Sequence, residues 1–93
     1  MTRILLSQEI HPEGRKILEG KFDIYLPRDT SQEALVEAAR DADGIILRTT
    51  SSVTREVIEN APRLKIVSRT GAGVDNVDVQ AATERGILVC NLP

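Results

Sequence analysis

Short apolar runs alternate along the whole chain with segments whose apolar residues recur every three or four positions. Runs of about four aliphatic or β-branched residues are typical of strands buried on both faces, whereas the longer spacing is typical of amphipathic helices. This alternation predicts a parallel sheet whose strands are joined by crossover helices. The five predicted strands are Arg3–Leu6, Phe22–Tyr25, Gly44–Leu47, Lys65–Ser68 and Ile87–Cys90.

The helix-patterned segments are bounded by residues that begin or end helices. Polar N-cap side chains accept hydrogen bonds from the first turn, proline suits that turn, and glycine adopts the left-handed conformation that often ends a helix. These signals predict helices from Pro12 to near Gly20, from Ser31 to Ala39 after a capping box at Thr30–Glu33, from Thr54 to before Pro62, and from Asp78 to Gly86. No linker interrupts this order, so residues 1–93 are predicted to form a single domain.

The predicted fold is α/β, a flavodoxin-like three-layer sandwich with a five-stranded parallel sheet. Right-handed crossovers place helices on the two faces, and 2-1-3-4-5 is the common strand order for an open sheet of this kind. Ligands of such sheets bind beyond the carboxyl ends of the strands. The loops at that edge are residues 7–11, 26–30, 48–53, 69–78 and 91–93.

Composition narrows the function without naming it. The 93 residues are 41% hydrophobic and 28% charged, with a net charge of −2 and only 2% aromatic residues. Mixed charge and few stacking side chains argue against nucleic acid and anionic membranes as partners. The single cysteine, Cys90, is expected to be a small buried hydrophobic residue, and with no signal peptide or membrane-length apolar stretch the expected compartment is the cytoplasm. His11 precedes Pro12 without a second His or Cys nearby, so it is expected to cap the helix or face solvent rather than bind a metal.

The loop Arg-Thr-Gly-Ala-Gly-Val-Asp-Asn-Val-Asp, residues 69–78, follows an apolar strand. A dinucleotide fingerprint at such a loop needs three glycines and an acid about twenty residues further on. Here the third glycine position is Asn76, and Asn91 lies where the acid would be needed, so nucleotide binding is rejected. Two alternatives remain: a tight turn without ligand, or a nest in which the N–H groups of Ala72 and Gly73 bind a carboxylate or phosphate.

Arg48 and Arg69 follow adjacent predicted strands at the edge where the glycine loop lies. Guanidinium groups suit carboxylate and phosphate because they donate paired hydrogen bonds. The alternative is that each arginine pairs with a nearby acid such as Asp75 or Asp78, residues that also suit turn and N-cap positions. Residues 49–52, all Thr or Ser, would contact a ligand or satisfy loop backbone. A small anionic ligand is favoured, and no pair of residues is typical of a catalytic acid and base.

Residues 46–93 closely resemble the substrate-domain half of the D-isomer-specific 2-hydroxyacid dehydrogenases. The motif at Arg69–Asp78 is most similar to members that act on phosphoglycerate in serine biosynthesis, and residues 1–45 match through the β-α-β pattern and the run at 39–49. The resemblance implies that backbone amides of Ala72 and Gly73 hold the substrate carboxylate. It also implies that Arg48 and Arg69 help to bind an anionic 2-hydroxy acid.

In that family the NAD site and the catalytic Arg, Glu and His lie beyond the position of Pro93, and Asn91–Pro93 matches the junction with the nucleotide-binding domain. The resemblance therefore implies no cofactor and no catalytic residue within residues 1–93, and no turnover by this lobe alone. A later helical segment returns to the substrate domain in these proteins. Without that segment we expect an exposed apolar face, with self-association or marginal stability.

Three alternatives stay open. Glyoxylate, hydroxypyruvate or lactate-type reductases share the fold, and NAD-sensing corepressors related to the dehydrogenases have a junction close to Val89–Pro93. A stand-alone flavodoxin-like module is the third. A flavin-binding module would need a phosphate loop after the first strand, and a receiver module would need paired acids there, but residues 7–9 are Ser-Gln-Glu.

Overall fold

The computed structural model describes residues 2–48, 51–70 and 76–92, with the side chains of 70 and 92 left out. The elements are β1 (Arg3–Leu6), α1 (Pro12–Glu19), β2 (Asp23–Tyr25), α2 (Gln32–Ala39), β3 (Gly44–Leu47), α3 (Arg55–Glu59), β4 (Ile66–Thr70), α4 (Val79–Glu84) and β5 (Leu88–Leu92). All neighbouring strands pair in parallel, in the order β2-β1-β3-β4-β5, so the predicted fold class and strand order are confirmed. Among the described residues, no helix combines the length and apolar character needed to cross a membrane.

The helix starts follow the predicted caps with one correction. Thr54 and Asp78 accept hydrogen bonds from the N–H groups of Val57 and Ala81, and His11 Nδ1 accepts one from Glu13, as predicted. The capping box at Thr30 was wrong by one residue, because the N-cap of α2 is Ser31, whose Oγ lies 3.2 Å from the Ala34 nitrogen. Asp29 fixes this start, since its Oδ1 accepts the Ser31 N–H at 2.8 Å.

The end of α4 also follows the prediction. Gly86 has a φ of 71°, the left-handed conformation that glycine adopts without steric cost.

Two strands extend further than their apolar runs predict. β4 continues to Thr70 and β5 to Leu92, each two residues past its predicted end. The ladder explains the difference, because Arg69 pairs with Leu47 on one side and Asn91 on the other. Backbone pairing thus continues through polar side chains, and Arg69 lies inside a strand rather than in the loop after it.

The faces of the sheet are covered unequally. Three of the crossovers advance in one direction across the sheet, and the crossover from β1 to β2 runs in the other direction. Because the connections are right-handed, α2, α3 and α4 lie on one face of the sheet and α1 lies on the opposite face. The main core lies under the three helices, and none of the α1 residues is buried. Its largest fully buried members are Leu5, Leu35, Ile45, Leu47, Val53, Val57, Ile58 and Val67.

The face that carries α1 leaves apolar side chains in contact with solvent. Leu88 is 59% exposed and Ile66 is 36% exposed, so the prediction that the strands are buried on both faces was wrong at β4 and β5. Cys90, which pairs with Ser68, is half-buried rather than buried, because α1 does not reach the β5 edge. An apolar cavity of about 280 Å³ lies beside this surface and is lined by Leu18 and Phe22 together with strand residues.

Candidate functional site at the carboxyl edge of the sheet

The predicted anion-binding residues divide between described and undescribed parts of the chain. Arg48 directly follows β3, and Arg69 lies near the end of the neighbouring strand β4. Ala72 and Gly73, with Asp75 and the hydroxyl residues at 49 and 50, lie outside the described residues. The described part of the candidate site therefore consists of the strand ends and the two flanks of the glycine loop.

Ser7 fixes the backbone of Arg48. Ser7 directly follows β1, and its side chain is buried, with an exposed fraction of 1%. Its Oγ accepts the Arg48 N–H at 2.8 Å. The Ser7 N–H in turn donates to the Ile46 carbonyl at 3.0 Å. These hydrogen bonds hold the residue after β1 against the end of β3 and thereby fix the position of the Arg48 backbone. No sequence signal singles out Ser7 for this role.

A single side-chain amide joins the two arginine residues. Asn76 Nδ2 donates to the Arg48 carbonyl at 3.1 Å and to the Ser51 carbonyl at 2.9 Å. Its Oδ1 accepts a hydrogen bond from Nε of Arg69. Asp78 Oδ1 accepts the Ala81 N–H as the N-cap of α4, and Asp75 lies outside the described residues, so the pairing of either arginine with an acid stays an open alternative. In the sequence, Asn76 stands out only because it replaces the third glycine of a dinucleotide fingerprint.

Backbone contacts bind the same two loops together. The Val53 N–H donates to the Asn76 carbonyl and the Asp78 N–H donates to the Val53 carbonyl, both at 2.8 Å, which makes a short parallel bridge between Val53 and Val77. A cavity of about 380 Å³ is lined by residues 52–54 and 76–78. The loop after β3 and the loop after β4 therefore form one connected unit.

Gln32 attaches this unit to the start of α2. Its Nε2 donates to the Ser52 carbonyl at 2.7 Å, and its Oε1 accepts the Ser52 N–H at 3.4 Å. The described contacts of Ser51 and Ser52 are made by their backbone, so both roles considered for their hydroxyl groups stay predictions.

Charge at this edge is unevenly compensated. Glu9, in the loop after β1, lies 2.6 Å from Arg15, and this hydrogen bond lowers the pKa of the Glu9 carboxyl below its ordinary value. No hydrogen bond or ion pair of the Arg48 guanidinium is found within residues 2–48, 51–70 and 76–92. Within those same ranges no group of three or more His, Cys, Asp or Glu side chains could hold a metal ion. An arginine side chain without an acidic partner among the described residues suits the binding of an anion.

The described part of the loop does not fit a dinucleotide. The third glycine of that fingerprint lets a helix pack closely on the strand. Here that position carries Asn76, whose side chain fills the space between the two loops with three hydrogen bonds. The described end of this loop therefore departs from the dinucleotide fingerprint at the position of its third glycine.

An open, doubly wound parallel sheet in the order β2-β1-β3-β4-β5 defines this chain as a flavodoxin-like α/β domain. The sequence profile of the D-isomer specific 2-hydroxyacid dehydrogenase catalytic domain matches residues 4–93, and the chain belongs to that family.

Known relatives agree with this assignment. The chain is 44% identical over 93 residues to D-3-phosphoglycerate dehydrogenase of Methanocaldococcus jannaschii, covering 100% of this chain and 18% of that protein. It is 35% identical over 94 residues to glyoxylate reductase of Thermococcus litoralis, covering 98% of this chain and 28% of that protein. The crystal structure of NAD⁺-bound 3-phosphoglycerate dehydrogenase from Entamoeba histolytica matches with a TM-score of 0.85 and 29% identity, over 99% of this chain and 33% of that chain. The present chain thus spans about a fifth to a third of the length of these relatives.

Proposed function

We propose that this chain is the substrate-binding lobe of an NAD-dependent D-2-hydroxyacid dehydrogenase that acts on D-3-phosphoglycerate. The observation that carries the proposal is the junction of Arg48 and Arg69 through Asn76 at the carboxyl edge, where open α/β sheets bind ligands. A substrate with a phosphate and a carboxylate needs more than one cationic or N–H donor group. The relatives that carry this name and align over the whole chain support the same substrate.

The proposal gives each predicted residue a role. Arg48 and Arg69 bind the anionic groups of the substrate, and the amides of Ala72 and Gly73 bind its carboxylate. In the proposed enzyme, NAD and the residues that catalyse hydride transfer lie in a separate nucleotide-binding domain, because Asn76 stands here at the third glycine position of the dinucleotide fingerprint. This lobe alone then binds substrate without turning it over, and a single cysteine suits the cytoplasm as its compartment.

A chimeric enzyme tests the substrate assignment. Residues 1–93 would replace the aligned segment of the M. jannaschii dehydrogenase, since the alignment covers 100% of this chain. We expect NAD-dependent oxidation of D-3-phosphoglycerate. Arg69→Ala should lower kcat/KM about 10- to 100-fold, as expected for losing one or two charge-assisted hydrogen bonds. Arg40→Ala, at an exposed position after α2, is the matched control and should leave kcat/KM unchanged.

A glyoxylate reductase is the second candidate, supported by the 35% identity to the T. litoralis protein. Glyoxylate carries one carboxylate and no phosphate, so it needs fewer cationic donors than phosphoglycerate. A chimera that folds and binds NAD but reduces glyoxylate without oxidising D-3-phosphoglycerate would favour this second function.

We also propose that the apolar surface formed by Ile46, Ile66 and Leu88, called the open face below, is covered in the complete protein. Leu88 and Ile66 are 59% and 36% exposed although they lie on strands of the central sheet. Apolar patches of this kind mark contact surfaces or association sites. The isolated chain is therefore expected to self-associate through the open face, and sedimentation across a concentration series measures this directly.

A further inference from the structure

We infer that Asn76 is a positioning residue, which orients the Arg69 side chain and fixes the loop after β3 to the loop after β4. The inference rests on the proposed function, because the orientation matters only if this edge binds an anion. It adds a residue that contacts the proposed ligand-binding arginines rather than the ligand.

The orientation of the Asn76 amide is determined by its partners. A carbonyl oxygen can only accept, so the carbonyls of Arg48 and Ser51 must face Nδ2, which has two N–H groups to donate. The oxygen of the amide must then point the opposite way, towards Arg69 Nε, which can only donate. The three partners leave a single assignment for the amide, and the reversed orientation would oppose like groups at every contact.

This amide restricts the Arg69 guanidinium. A hydrogen bond at Nε fixes the plane of the group about its last side-chain torsion, so that the terminal nitrogens keep a constant direction. Ordering a long side chain before the ligand arrives removes part of the entropic cost of binding. Arg69 also pairs through its backbone with Leu47 and Asn91, so both ends of its side chain are held.

Asn76 also holds the far end of the glycine loop. Its backbone carbonyl accepts the Val53 N–H at 2.8 Å, while its side chain reaches the Arg48 carbonyl at 3.1 Å. The two described flanks of this loop, β4 and Asn76, are therefore both held by hydrogen bonds. This accounts for an asparagine at the position where a dinucleotide loop has glycine, because glycine would lose all three side-chain bonds.

Two substitutions and one control separate the parts of this role. Asn76→Ala removes every side-chain bond, whereas Asn76→Asp keeps an acceptor for Arg69 and loses both donors to the loop carbonyls. Asn60→Ala is the matched control, because Asn60 Nδ2 also donates to a backbone carbonyl, that of Glu56 at 2.9 Å, but lies exposed at the end of α3. The readouts are the NMR signal of the Arg69 Nε–H and its exchange with water, without ligand, and the affinities for 3-phosphoglycerate and inorganic phosphate.

The expected results differ between the variants. Asn76→Ala should speed the exchange of the Arg69 Nε–H with water. It should also weaken the binding of 3-phosphoglycerate about tenfold, which is the effect expected for the loss of one hydrogen bond. Asn76→Asp should keep the slow exchange but still weaken binding, because a carboxylate would repel both the loop carbonyls and the anion. Asn60→Ala should change neither readout.

One set of results would contradict the positioning role of Asn76, and a different set would contradict the proposed function. If Asn76→Ala keeps the wild-type exchange rate and the wild-type affinity, the positioning role is wrong although the anion site stands. If the wild-type chain binds neither anion while its Arg69 signal depends on Asn76, the proposed function is wrong and the role in binding falls with it. If Asn76→Ala fails to fold, the wild-type signals decide, since equal exchange at Arg69 and at the exposed Arg40 would contradict the inference.

Discussion

Two leucine-to-alanine substitutions on opposite faces of the sheet should differ sharply in their effect on stability. Leu47 is 0% exposed and lies in the core under α2, α3 and α4, whereas Leu88 is 59% exposed on the open face. Removing a fully buried leucine side chain costs about 3 to 5 kcal/mol of unfolding free energy, from lost transfer energy and the cavity left behind. About two-fifths of Leu88 is removed from water, so its loss should cost less than about 1 kcal/mol.

Urea unfolding followed by far-ultraviolet circular dichroism measures both values. A chain of 93 residues is expected to unfold with a total of about 5 to 10 kcal/mol, so Leu47→Ala should remove a large part of its stability. The dependence on urea should stay the same in both variants, because the exposed area on unfolding barely changes. Equal losses at the two positions, at a protein concentration where the chain is monomeric, would refute the unequal covering of the two faces.

Further predictions concern association and titration. Leu88→Lys should reduce self-association in sedimentation while leaving the urea midpoint nearly unchanged, and an unaltered association constant would exclude the open face as the contact. Burial raises the pKa of Tyr25 to about 12. The absorbance of this single tyrosine at 295 nm should therefore titrate near pH 12 in the folded chain and near pH 10 in urea. Because the folded state favours the neutral phenol, the free energy of unfolding should fall as the pH rises from about 10 to about 12. The Arg3 N–H, with Arg63 nearby, lowers the pKa of the Asp43 carboxyl, so its contribution should be present above about pH 4 and lost as the pH falls through the lowered value. Asp43→Asn should therefore cost about 1 kcal/mol at pH 7 and progressively less as the pH falls below about 4, measured by urea unfolding.

Much of the fold follows from local chemistry that one sequence displays. Apolar runs of strand length alternate with capped helices, and the caps at Thr54 and Asp78 depend only on residues three positions apart. The strand order follows because right-handed crossovers leave few topologies for this sequence of elements. The ends of β4 and β5 were misplaced because pairing with a neighbouring strand, and not the local pattern, decides where a ladder stops.

Only part of the candidate site stands out in the sequence, because local patterns do not show which distant groups come into contact. Arg48 and Arg69 stand out because each follows or ends an apolar run. Ser7 and Asn76 do not, since Ser7 contacts a backbone group 41 residues away and Asn76 contacts one 28 residues away along the chain. Contacts of this range depend on which strands become neighbours. The unequal covering of the faces likewise depends on the direction of each crossover, which composition does not reveal.

An amide chemical-shift titration of the wild-type chain with 3-phosphoglycerate shows whether this lobe binds the anionic substrate at its carboxyl edge. We expect saturable shifts there, centred on Arg48, Arg69, Ala72, Gly73 and Asn76, with weaker shifts when D-glycerate replaces the phosphorylated acid. The amino end of the sheet offers a comparison region, because a cavity of about 470 Å³ there is lined by Asp43, Arg63 and Lys65. Shifts confined to that region, or none at millimolar ligand, would contradict the claim that this lobe holds the anionic substrate at its carboxyl edge.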